Sequence, residues 1–187
     1  MEDKRALRRR LRAARASREA SELIPAGAGL ARFGAAAAHG VTSVAAYASV
    51  GDEPPTRRLL DALRLRGVRV LLPRVDGDNL EWASYESWTD LRTTDRGLLE
   101  PVGAAISEPL ARVADLVLAP ALAVDRHGNR LGRGAGYYDR ALASFSRDRT
   151  IAVVFDDEVL DELPADPHDV PVAAALTPSG LVRFDDQ

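Results

Sequence analysis

Residues 130 to 140 read RLGRGAGYYDR. Gly132, Gly134 and Gly136 alternate with Leu131, Arg133 and Ala135, and Arg130 stands just ahead of them. Glycine at every second position loses much conformational entropy on ordering, so the run asks for a compensating contact. Backbone without side chains can approach phosphate oxygens closely. Arg130 and Arg133 would add charge and forked guanidinium donors. A helix is expected to start near Gly136, and the unpaired N–H groups of its first turn, with its dipole, favour an anion. Asp139, in that turn, could coordinate Mg²⁺ on the bound phosphates. Spacing alone leaves a second reading open. The glycines would then only make turns, Asp139 would complement the helix dipole, and Tyr137 and Tyr138 would be core and rim. The run is not a Walker loop, because no Lys-Ser/Thr pair ends it. Nor is it a dinucleotide fingerprint, because its spacing is G-x-G-x-G and it follows a long loop rather than a tight turn.

Elements must bring this loop to a site. DLVLAP (115–120) is an apolar run suited to a central strand, and the long excursion ALAVDRHGNRLGRGAG follows it. In open α/β sheets ligands bind beyond the C-terminal ends of strands, where this excursion begins. The spacing predicts a strand over 41–49, a helix behind Pro54 and Pro55 with Leu59, Leu60 and Leu63 on its buried face and Gly67 as its stop, and a strand over 68–73. That is a βαβ unit, so the sheet is expected to be parallel there. Further strands are expected over 80–85 and 150–155, a helix over 137–147, and a closing hairpin around TPSG; residues 86–108 read as mixed. An alanine-rich helix is expected over 28–38, ending at Gly40. The fold class is α/β: one domain over 1–187 with a mainly parallel sheet flanked by helices, three-layered and Rossmann-like.

A basic helix is expected over 3–20. Leu7, Leu11 and Ala14 would form its apolar stripe, with Lys4, Arg8 and Arg15 on the border, able to reach inward. Arg5, Arg9 and Arg12 would point outward as a solvated face. Residues 1–20 hold eight basic residues against three acidic ones, a balance of +5, so the rest carries −8 of the net −3. An acidic body with a basic arm suits a local anion site. Nucleic acid is disfavoured, because no aromatics interleave with the arm's arginines.

No cysteine is present, which excludes thiolate catalysis and cysteine metal sites. His39, His127 and His168 are scattered without metal-ligand spacing. There is no long uncharged apolar run and no secretory signal pattern, so a cytoplasmic, membrane-free protein is expected; a monomer is the expectation for its oligomeric state, which no motif in the sequence specifies.

LAPALAVDRHGNRLGRGAGYYDRAL resembles the signature of the 5-formyltetrahydrofolate cyclo-ligase family, also called 5,10-methenyltetrahydrofolate synthetases. KRALR, AYASVGDEPPT, VLLPRV, LLEP and EVLDELPADPHDVPV fit that family's other landmarks in order. The resemblance implies ATP-dependent closure of 5-formyltetrahydrofolate to 5,10-methenyltetrahydrofolate, through a phosphorylated formyl group. It implies ATP contacts from Lys4, Arg8 and the loop Arg130, Leu131, Gly132, Arg133, Gly134, Ala135, Gly136, Tyr137 and Tyr138. Folate contacts would come from Ala48, Glu53, Arg133 and Tyr137. Arg130, Arg133 and Tyr138 would serve catalysis, and Asp139 would hold Mg²⁺. Trp82 and Tyr85 could wall the ring pocket, although core aromatics are the simpler reading. Two positions depart from the family pattern. Ala173 stands where some relatives carry a metal-binding Asp, with Asp169 as a candidate substitute, and Ala135 stands where some carry Lys. Two other functions stay open: a binding protein of this fold that has lost catalysis, and a sugar-phosphate isomerase or CoA-transferase type of enzyme.

Overall fold

Asp3 accepts a hydrogen bond from the Ala6 N–H at 2.8 Å and so caps helix α1 (Lys4–Ala16). The computed structural model describes residues 2–164, 166 and 169–184, so His168 and part of EVLDELPADPHDVPV lie outside the described residues. The basic helix is therefore shorter than the expected 3–20. It ends at Ser17, and helix α2 (Ala20–Ala37) starts where the Glu19 N–H donates to the Glu22 carboxylate at 2.8 Å. That bond satisfies a backbone donor at the helix start, well ahead of residue 28. Pro25 lies in its second turn, where it removes one backbone bond without ending the helix.

Strand β1 (Ser43–Ala45), helix α3 (Arg57–Leu65) and strand β2 (Arg69–Asp76) form the expected βαβ unit, with β1 and β2 parallel. β1 stops short of the expected residue 49, because the chain leaves the sheet there to build the site. β2 turns directly into the antiparallel strand β3 (Asn79–Ser84). The mixed region holds a small hairpin, β4 (Leu91–Thr93) with β5 (Leu99–Pro101), and then the short helix α4 (Leu110–Val113). Strand β6 (Leu116–Pro120) is central. The excursion after it is partly ordered as a hairpin of β7 (Ala123–Asp125) and β8 (Arg130–Leu131). Helix α5 (Tyr137–Leu142) stops before the expected residue 147, because Ala143 and Phe145 bond back only three residues, a tighter winding. Strands β9 (Thr150–Val153), β10 (Val159–Leu160), β11 (Ala174–Thr177) and β12 (Gly180–Arg183) complete the chain, the last two as the expected hairpin.

The main sheet runs β12-β11-β9-β6-β1-β2-β3, with its five inner strands parallel. α2 and α3 cover one face: Leu30, Leu59, Leu60 and Leu63 pack on Val44, Val70, Leu118 and Val153. Leu110 of α4 and Leu142 of α5 cover the other, against Ala45, Leu71 and Val117. Each fully buried leucine contributes about 1.5–3 kcal/mol. The arrangement is the three-layer α/β fold expected.

α1 packs elsewhere. Leu7 and Leu11 meet Leu122, Ala123, Leu131 and Leu163 on the small sheet of β10, β7 and β8. Ala14 is exposed, contrary to expectation, and Arg15 is buried instead. At 100° per residue Lys4, Leu7, Arg8, Leu11 and Arg15 share one face, and Ala14 falls outside its edge.

Candidate active site

The chain passes from β1 to β2 on one side and then crosses to β6 on the other, so β1 and β6 flank the switch point of the sheet. A cavity of about 480 Å³ opens there, beyond the carboxyl ends of both strands. Tyr47 and Ala48 enter it after β1, and Pro120 and Ala121 after β6.

The segment after β1 is held by reciprocal bonds. Ser49 N–H donates to Thr56 Oγ1 at 2.9 Å, Thr56 N–H donates to Ser49 Oγ at 3.0 Å, and Thr56 Oγ1 donates to the Tyr47 carbonyl at 2.8 Å. Glu53 closes the turn by accepting from the Val50 N–H at 2.9 Å. Its carboxylate is thereby fixed inside the cavity, with its side chain 10% exposed. Burial raises the Glu53 pKa, and the neighbouring Arg133 guanidinium only partly offsets this.

The glycine loop is delivered by β8. Asp125, fully buried, shapes the preceding turn by accepting from the N–H groups of His127, Asn129 and Leu163 and from the Asn129 amide. The loop then crosses the cavity mouth between α1 and α5. Its carbonyls are taken by arginines: Arg8 Nε donates to Gly132 O at 2.9 Å, Arg12 to Arg133 O at 3.0 Å and Arg140 to Ala135 O at 3.2 Å. Among the described residues no acceptor pairs with the N–H groups of Gly132 to Gly136. Gly134 and Gly136 have φ of +103° and +71°, which side chains rarely tolerate. Gly136 is also the N-cap of α5.

The cations of the cavity are paired internally. Lys4 Nζ donates to Asp166 at 2.7 Å and Asp169 at 2.6 Å. Burial depresses the Lys4 ammonium, but the two carboxylates outweigh it and raise its pKa. Arg133 reaches Asp52 at 3.0 Å and Glu53 at 3.3 Å. Arg130, almost wholly buried, pairs with Asp139 and donates to the Pro120 carbonyl at 3.3 Å. An incoming polyanion could exchange with these carboxylates.

The far wall is apolar: Pro73 and Val75 of β2, Leu80 of β3, and Leu98 and Leu99 at β5. The cavity therefore has a glycine-lined end with paired charges, and a largely apolar end bordered by the carboxylates of Glu53 and Glu100. That suits a ligand with a phosphate chain together with a flat, partly polar ring system.

The model of the 5-formyltetrahydrofolate cyclo-ligase family matches residues 1–178. The chain belongs to this family. It is 48% identical over 150 residues to a 5-formyltetrahydrofolate cyclo-ligase of Mycolicibacterium smegmatis, covering 76% of this chain and 77% of that one. With the 5-formyltetrahydrofolate cyclo-ligase of Escherichia coli K12 it is 32% identical over 143 residues, covering 73% and 78%. Among solved structures, the 5,10-methenyltetrahydrofolate synthetase of Aquifex aeolicus superposes with a TM-score of 0.78 at 26% identity, covering 98% of this chain and 94% of that one. The chain is thus an enzyme of the cyclo-ligase type.

Every site residue expected from the sequence lines the one cavity: Lys4, Arg8, Ala48, Glu53 and Arg130 through Asp139. Their orientations differ from a simple phosphate cradle. Leu131 packs against Leu7 and Leu11, so only its backbone serves the site. The Tyr137 hydroxyl accepts from Arg96 at 3.0 Å and donates to the Gly77 carbonyl at 3.4 Å, tying the loop to the β2–β3 turn. Tyr138 is held edge-on by Trp82, ring centroids 6.3 Å apart. Trp82 and Tyr85 are core aromatics; the Tyr85 hydroxyl donates to Asp61 at 2.8 Å. Arg5 and Arg9 are exposed as expected, whereas Arg12, read as solvated, reaches the loop.

Sequence reasoning missed Tyr47, Arg140 and the apolar wall. Arg140 clamps the Ala135 carbonyl and the Asp78 carbonyl, the latter at 2.6 Å, and so joins loop to hairpin. For metal binding, no group of three or more His, Cys, Asp or Glu side chains converges among the described residues. Asp139 offers a partly exposed carboxylate at the cavity wall. Asp169 also lines the cavity, turned to Lys4, and Ala173 donates its N–H to Thr150 O in the sheet. This donor set fits Mg²⁺ held mainly by phosphate oxygens and water, and does not fit a cage built of protein alone. Among the described residues no helix is long and apolar enough to cross a membrane.

Proposed function

We propose that this enzyme uses ATP to close 5-formyltetrahydrofolate into 5,10-methenyltetrahydrofolate, releasing ADP and phosphate. The observation that carries the reading is the cavity lining: Lys4 and Arg8 beside the glycine loop, Glu53 beside an apolar wall, and Arg133 between them. The triphosphate takes the glycine-loop end and the folate ring takes the apolar end, so the formyl group and the terminal phosphate meet between them.

The formyl oxygen attacks the γ-phosphorus, and ADP leaves. The N10 lone pair then attacks the activated formyl carbon, the phosphate departs with the former formyl oxygen, and N10 loses its proton as the ring closes. The substrate supplies its own nucleophile, so the protein needs positioning and charge neutralisation rather than a covalent residue. Arg133, which bridges from the loop to Glu53, stands between the two ends. Arg130 and Tyr138 border the same space, and the unpaired loop N–H groups suit phosphate oxygens. Mg²⁺, with Asp139 as its protein carboxylate, would supply further neutralisation of the triphosphate. Soluble, membrane-free action on these two small molecules is the accompanying expectation, with the protein as a monomer in the cytoplasm.

Incubation of purified protein with 5-formyltetrahydrofolate, Mg²⁺ and ATP tests this by the absorbance of the methenyl product. Product in proportion to ADP is expected. No product, or product at the same rate without ATP, contradicts it.

A further inference from the structure

Tyr47 follows β1 and lines the switch-point cavity with its ring buried, 5% exposed, at the edge of the core cluster that holds Leu30, Leu59 and Leu60. Its carbonyl is engaged by Thr56, which fixes the backbone. Its hydroxyl is buried yet has no hydrogen-bond partner among the described residues, and the Tyr138 hydroxyl shares this condition. A buried hydroxyl left unpaired loses the bonds it made to water, so the group calls for a partner that the described residues do not supply.

The neighbourhood decides what that partner is. Glu53 lies in the same part of the cavity, and its charge acts on both tyrosine hydroxyls. Burial, and then Glu53, raise the Tyr47 pKa well above the ordinary phenol value, so the group stays protonated and acts as a donor. Glu53 offers an acceptor where Tyr47 offers a donor, and a phosphate, which only accepts, would match the hydroxyl and leave the carboxylate without a donor. A neutral ring with N–H groups for the carboxylate and an adjacent carbonyl or ring nitrogen for the hydroxyl meets both demands.

We propose that Tyr47 is a specificity residue for the folate, its hydroxyl donating a hydrogen bond to an acceptor on the edge of the fused ring while Glu53 accepts from that ring's N–H groups. This rests on the cyclo-ligase reading and adds a donor to it. It also separates the hydroxyl from the ATP end, where Lys4 and Arg8 stand.

The test is Tyr47→Phe, which removes one oxygen. Calorimetric titration with 5-formyltetrahydrofolate alone, with a non-hydrolysable ATP analogue alone, and a thermal melt are run on both proteins. Folate binding is expected to weaken about tenfold, equivalent to about 1.4 kcal/mol, with ATP-analogue binding unchanged and a melting temperature unchanged or higher. Unchanged folate affinity overturns the assignment. So does a lower melting temperature with both ligands weakened, since that marks a structural hydroxyl. If the wild-type protein fails to bind 5-formyltetrahydrofolate, the cyclo-ligase reading itself falls and takes this assignment with it.

Discussion

Arg15 and Glu158 form a two-pronged ion pair inside the protein, Nε to Oε1 at 2.7 Å and Nη2 to Oε2 at 2.8 Å, with side chains 1% and 2% exposed. Arg15 also donates to the Ala121 carbonyl at 2.6 Å, at the edge of the cavity, and Glu158 accepts from the Phe155 N–H. The pair therefore pins α1 to the end of β6, and α1 carries Lys4 and Arg8.

Arg15→Ala should destabilise the protein by about 3–5 kcal/mol, because it leaves a buried carboxylate unpaired. Replacing both partners, Arg15→Met with Glu158→Leu, should recover most of that loss. Denaturant titration of the three proteins checks both statements. Equal stability of Arg15→Ala and wild type would show that the pair is not buried in solution.

Glu53 gives a pH dependence with a definite sign. Its folded pKa lies above the ordinary 4.5, so the folded protein holds this proton more tightly than the unfolded chain. Its contribution to stability is present below the unfolded pKa and is lost as pH rises through the folded one. Glu53→Gln does not titrate, so its stability advantage over wild type should grow as pH rises from 4.5 towards neutrality. Paired denaturation curves across that window check this, since other groups cancel in the difference. An advantage that shrinks with pH would mean the carboxylate is stabilised in its charged form. Folate binding by the Glu53→Gln variant should weaken while nucleotide binding holds.

Asp139 is paired with the buried Arg130, so truncation to alanine would disturb the guanidinium as well as any metal. Asp139→Asn keeps the size and a hydrogen-bond acceptor. It should raise the Mg²⁺ concentration needed for half-maximal turnover by about tenfold, the scale of one lost charge-assisted contact, with a lower melting temperature because the buried Arg130 loses its charged partner. A titration of rate against Mg²⁺ decides it. An unchanged midpoint would remove Asp139 from the metal.

The sequence was most legible where local chemistry decides structure. Pro54, Pro55, the leucines of α3 and Gly67 fix the βαβ unit within a short span, and the glycine loop announces itself by composition. The residues that line the cavity were also named in advance, because the resemblance supplied their positions. The partnerships were not. Arg15 meets Glu158 across 143 positions of sequence; the helical period places Arg15 on the inner face but does not name its partner. The direction of Asp169 depends on where α1 places Lys4. The apolar wall needs β3 and the β4–β5 hairpin folded over the cavity, and the mixed composition of 86–108 carries no strong signal for that. Tyr47 looked like an ordinary strand residue, because a buried hydroxyl without a partner is visible only once its surroundings are known.

The account stands on ATP activating the formyl oxygen, and the fate of that atom tests it most directly. 5-Formyltetrahydrofolate carrying a heavy-oxygen label on the formyl group is turned over with unlabelled ATP and Mg²⁺, and the inorganic phosphate is analysed by mass spectrometry. The account predicts one labelled oxygen in each phosphate released, in step with the methenyl product. Unlabelled phosphate, with the label lost to water, would contradict it.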